Sequence, residues 1–182
     1  MVSLLIGLLF TSGVQGATGP AEPGAFAAAW DGQNFRVYKD EASGVSFEVP
    51  LTGFLLEARH FEPGLPVVQA KHLFTLSGPN GPEVTIDVWV DASKPDVASF
   101  FEAHLAFMRD GETSIASVVV SKQHVAGMLL SQPRSGQSFG RKAAVFAVGD
   151  RVFRITCLDK DDERARKVFE RLVQSFDAGA SR

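Results

Sequence analysis

The chain of 182 residues has a single cysteine, Cys157, so no disulfide can form within it, and a cysteine-bearing zinc site would hold at most one thiolate. It also lacks a basic surplus. Its 18 lysines and arginines are interspersed with 21 acids, for a net charge of −3, which argues against a general nucleic-acid binder. Gly-x-Ser-x-Gly does not occur, so no serine sits in a nucleophile elbow. Ser135-Gly136-Gln137-Ser138-Phe139-Gly140 contains glycine but not the Lys-Ser/Thr of a phosphate-binding loop, and turn chemistry accounts for it. The apolar run over residues 2–10 falls short of the ~20 residues that a spanning helix needs.

That run is followed by Thr11-Ser12-Gly13-Val14-Gln15-Gly16-Ala17, with small residues placed for cleavage after Gly16 or Ala17. Residues 1–17 therefore read as a secretory signal, although a positively charged n-region is missing, and the protein is expected to be extracytoplasmic, periplasmic or secreted. Residues 18–30, rich in Gly, Pro and Ala, read as a flexible linker. Residues 31–178 form one domain, large enough to bury a core without disulfides, and 179–182 a tail.

The chain is most informative from Phe139 to Phe176. Gly149-Asp150 separates two strand-like runs, Arg141–Val148 and Arg151–Leu158, and such a pair can take up the positive φ of a two-residue hairpin loop. Counting outward, Val148 faces Arg151, Phe146 faces Phe153 and Ala144 faces Ile155. One face then carries Ala144, Phe146, Phe153, Ile155 and Cys157, the other Ala143, Val145, Ala147, Val152, Thr156 and Leu158. Both are apolar, the mark of strands in the middle of a covered sheet. Cys157 should be a buried, inert thiol. Arg154, opposite Val145, should pack its stem and send its guanidinium to the rim or to a carboxylate. Past the acidic turn Asp159–Asp162, an ordinary helix opening rather than a calcium loop, Ala165, Val168, Phe169, Leu172, Val173 and Phe176 make one helical stripe.

Earlier elements follow from turn signals. Phe35–Asp40 and Val45–Val49 read as strands about Ala42-Ser43-Gly44, and Gly53–Phe61 and Val67–Leu76 as a hairpin about Glu62–Pro66. In the next strand Val84, Ile86, Val88 and Val90 alternate with Thr85, Asp87, Trp89 and Asp91, a half-polar pattern. Ser93-Lys94-Pro95-Asp96 starts a helix with Ser93 as its cap and Val97, Phe100, Phe101, His104, Leu105, Phe107 and Met108 as its apolar stripe. Thr113–Gln123 and Val125–Gln132 are two further strands, divided near Gly127. The order is five strands, a helix, four strands and a final helix.

Candidate chemistry is sparse. His60 and His72, with Glu57 or Glu62, are a minimal metal set, but metal sites need convergence that strand spacing does not supply, so no metal or cofactor is expected. His104 reads as a packed imidazole, and His124 has no obvious partner. Asp87 and Asp91 would stand about 13 Å apart by strand rise, too far for a glycosidase pair. With Trp89 between them, Asp87, Trp89 and Asp91 are instead a speculative partner-binding surface, unless a helix or the N-terminal strand covers the tryptophan.

Gly44-Val45-Ser46-Phe47-Glu48-Val49-Pro50 resembles the opening strand of PsbP-like proteins, and Arg141–Leu158 followed by Asp161–Phe176, ending in Ser175-Phe176, is similar to that family's closing hairpin and helix. The resemblance covers approximately Phe35 to Asp177. It implies an α+β fold, an α/β/α sandwich in which a mainly antiparallel sheet carries a helix on each side, shared with a small Ran-binding nuclear import factor. It also implies a binding or assembly role, as in an extrinsic photosystem II subunit; no functional residue carries over. The expectation is a non-catalytic, monomeric domain that binds an unknown protein partner, and no nucleic acid, through a sheet edge or a loop such as Glu62–Pro66. A carrier for a small apolar ligand between sheet and helix is the alternative, permitted by the 15 phenylalanines.

Overall fold

A computed structural model describes residues 33–59, 70–79, 81–109, 112–120, 125–133, 140–159 and 163–179. The expected signal peptide, the whole linker, His60, the loop Glu62–Pro66, His124 and the segment Ser135–Phe139 lie outside them. Nine strands and two helical segments follow in the expected order: β1 (Phe35–Lys39), β2 (Ser46–Pro50), β3 (Leu55–Ala58), β4 (Lys71–Gly78), β5 (Gly81–Val90), the first helical segment, β6 (Ser114–Val120), β7 (Val125–Gln132), β8 (Gly140–Val148), β9 (Arg151–Asp159) and α2 (Glu163–Ser175). The first helical segment is α1 (Val97–Phe100), continued by a π turn (Phe101–Leu105) and a 3-10 turn (Ala106–Met108).

Seven strands make one antiparallel sheet in the order β3-β4-β5-β9-β8-β7-β6. The β8–β9 hairpin has the register counted from its turn, with Val148 opposite Arg151, Phe146 opposite Phe153 and Ala144 opposite Ile155. Gly149 takes φ 62°, the left-handed conformation for which a glycine is favoured. β8 and β9 are central because both their faces are apolar, and each face meets its own cover.

On one face Phe146, Phe153, Ile155 and Cys157 are buried with the whole α2 stripe and with Phe47 and Val49 of β2. Phe176 stands at the middle of this layer, with its ring centroid 5.1 Å from both Phe146 and Phe153 and 6.3 Å from Phe47. β1 and β2 do not join the large sheet but pair with each other, lying beside α2 as part of the cover. On the other face Ala143, Val145, Val152, Trp89 and Leu130 are buried under Phe100, Phe101, Leu105 and Met108. The architecture is the α+β sandwich, mainly antiparallel with a helical element on each side.

Three local expectations are corrected. The cap of the first helical segment is Asp96, not Ser93: Asp96 Oδ1 accepts from the backbone N–H of Ala98 at 3.1 Å and of Ser99 at 3.0 Å. Ser93 is already committed to Asp91, donating to its Oδ1 from both hydroxyl and amide. The apolar stripe is narrower than periodicity implied, because the π and 3-10 turns change the angular step per residue. His104 is exposed and Phe107 is 75 % exposed. Gly127 divides no strands; it lies inside β7 opposite Phe146. An added Cβ there would fall 2.7 Å from the Val145 carbonyl oxygen, so this glycine permits the close approach of β7 to β8.

Candidate functional site

The face of β5 that carries Thr85, Asp87 and Trp89 looks toward the first helical segment, and its polar residues form a row across three strands. Asp87 lies opposite His72 on β4 and opposite Arg154 on β9. Asp87 Oδ2 accepts from Arg154 Nη2 at 2.7 Å and Nε at 3.1 Å, and Oδ1 accepts from His72 Nδ1 at 2.9 Å. With Nδ1 donating, Nε2 of a neutral ring accepts from the Thr75 hydroxyl. Arg154 also lies over the Trp89 ring, 5.2 Å from its centroid. Of the two expected outcomes, the rim or a carboxylate, the arginine takes the carboxylate, since an unpaired guanidinium in this face would go unsolvated.

This row corrects the expected partner-binding surface. Asp87 is 7 % exposed and Trp89 6 %, because Phe100 packs edge-on against the tryptophan at 5.6 Å. Asp91 lies past the end of β5, where it binds Ser93 and where that hydroxyl's hydrogen bond, first among the causes, lowers its pKa. The three do not share an accessible face. Of the candidate metal set, His72 turns to Asp87 and Thr75 and Glu57 is exposed on β3, while His60 and Glu62 lie outside the described residues.

Hydroxyl, imidazole and carboxylate stand in the order that suits nucleophile, base and orienting group. The hydroxyl of the row is buried and the imidazole half-buried. Thr75 is 8 % exposed and the His72 side chain 29 %, and Arg154 occupies the carboxylate's second oxygen. Cys157 is fully buried among Phe153 and Ile155, as expected.

What the sheet does present is an edge. β6 has β7 on one side and no described strand on the other. Its sequence Ser-Ile-Ala-Ser-Val-Val-Val has no charged residue, and Ile115 and Val119 are 39 % and 58 % exposed. The opposite edge, β3, has only four residues and carries Glu57. Short or charged edges resist pairing with other chains, whereas β6 has neither protection. The sequence places a strand over Thr113–Gln123, but only the sheet order makes β6 an edge.

No helix among the described residues is long and apolar enough to cross a membrane. No protein-family model matches the chain, and no curated protein matches its sequence. Among solved structures the chain is similar to the solution structure of cyanobacterial PsbP from Synechocystis sp. PCC 6803, with 13 % identity, 89 % of this chain and 99 % of that chain covered, and a TM-score of 0.46.

Proposed function

We propose that the protein is an extracytoplasmic, non-catalytic binding domain, monomeric when isolated, that engages a protein partner by strand addition at β6. The observation that carries this reading is a long, charge-free sheet edge with two exposed β-branched side chains, Ile115 and Val119. A partner strand laid along it gains backbone hydrogen bonds and buries those side chains, which is how edge strands recruit extended segments. The apolar carrier reading has less support. The phenylalanines fill the interior by packing on one another, face to face or edge-on at ring-centroid distances of 5.1 to 5.5 Å.

The test is site-specific photo-crosslinking in the native host, with the reactive residue at Ser117 on β6 and, as a control, at Glu57 on β3. An adduct of one defined mass at Ser117, lost when Val119→Lys is added, is the expected result. Adducts at Glu57 alone, or an adduct at Ser117 indifferent to Val119→Lys, would overturn the assignment to this edge.

A further inference from the structure

We propose that the cavity of about 240 Å³ between the end of the first helical segment and the sheet binds a small organic carboxylate. Its floor is Thr85 and Thr156, cross-strand partners on β5 and β9, on the part of the sheet face that the helical cover leaves bare beyond Met108. Thr156 Oγ1 is shut off from solvent and has no hydrogen-bond partner among the described residues. A buried hydroxyl in that state gains a partner when rotation about χ1 turns it toward a ligand oxygen in the cavity.

The charges of the lining select the ligand. Arg154 is matched by Asp87, and Glu83 by Arg164 at 3.0 Å, so both pairs cancel. Arg141 is exposed at the rim and forms no ion pair among the described residues, leaving one cation unbalanced. Arg154 adds a donor, because its Nη1 meets only the Met108 thioether, a weak acceptor, at 3.7 Å. Met108 and Leu158 supply apolar wall. One net positive charge, hydroxyl and guanidinium donors and an apolar side fit a monoanion with a short hydrocarbon body, while the Glu83 carboxylate works against a dianion such as phosphate.

The experiment is a titration of the full chain with butyrate, followed by amide chemical shifts, against inorganic phosphate, chloride at equal ionic strength, and butylamine. Saturable shifts at Thr85, Arg141 and Thr156 with butyrate, absent with butylamine and weaker with phosphate and chloride, are expected at millimolar affinity. Arg141→Gln should weaken binding about tenfold by removing the unbalanced charge, and the isosteric Thr156→Val should weaken it severalfold without loss of folded signals. No saturable shift, equal affinity for chloride or phosphate, or full binding by both variants would overturn the proposal.

Discussion

At the scale of single residues, the row His72, Asp87 and Arg154 shows how a charge can sit inside a covered sheet. Side-chain exposures of 9 % for Asp87 and 21 % for Arg154 mean that the pair is largely desolvated, and its two charge-assisted hydrogen bonds to Oδ2 offset that cost only while both partners are present. Replacing Asp87 with Leu should therefore destabilise the fold by about 3 kcal/mol, since it leaves a guanidinium without its counter-charge. The double variant Asp87→Leu with Arg154→Met should lose much less than the sum of the single losses. Urea denaturation of the four proteins in the cycle measures this, and additive losses would show that the two side chains are not coupled. In the sequence, Arg154 in an apolar strand called for the rim or a carboxylate, but three strands and the first helical segment lie between it and Asp87. Its partner became visible only when β9 was placed beside β5.

At the scale of elements, the first helical segment is the part in which local signals misled. Ser93 and Asp96 are both good capping residues, and the spacing Ser-x-x-Asp imitates a capping box; what decided between them was the use of the Ser93 side chain by Asp91. The Asp96 carboxylate is held below its ordinary pKa, first by the hydrogen bond to Ser99 and then by the neighbouring backbone amides. A carboxyl whose pKa is depressed on folding adds stability above its unfolded pKa and loses that contribution as pH falls through the folded one. Asp96→Ala should accordingly lower the midpoint of thermal unfolding at about pH 7 and have a smaller effect at about pH 2, because the contribution is lost as pH falls through the folded pKa. A deficit of equal size at both pH values would mean that the ionised cap contributes nothing. By contrast α2 was fully legible. All six residues of its stripe, from Ala165 to Phe176, are buried, because a regular α-helix keeps the angular step that the sequence pattern assumes.

At the scale of the whole molecule, Arg151 joins three regions that the chain order keeps apart. From the first residue of β9 its Nη1 donates to the Ser43 carbonyl at 2.8 Å and its Nη2 to the Ala178 carbonyl at 2.5 Å. Burial lowers its pKa while the charge of Asp150 opposes the shift. The β8–β9 turn, the β1–β2 loop and the chain after α2 are thereby fixed to one another, and the Ser46–Asp177 bridge continues the same closure. Arg151→Met should cost about 2–4 kcal/mol, because two inward carbonyls lose charge-assisted donors. Hydrogen exchange should rise together at Gly44 and Gly179, the far ends of that clamp. Faster exchange confined to the β8–β9 turn would show that Arg151 does not couple them.

The sequence by itself determined the elements, their order and the register of the central hairpin, since strand alternation, a two-residue turn and helical periodicity depend on neighbours within a few residues. The motifs of Gly44–Pro50 and of the closing hairpin and helix also pointed to the sandwich architecture that the molecule adopts. Tertiary structure alone decided that Asp87 and Trp89 are interior and that β6 is an edge. It alone also left Thr156 and Arg141 facing a cavity. Alternation tells which residues share a face, but whether that face meets a helix, water or a ligand depends on segments far away along the chain.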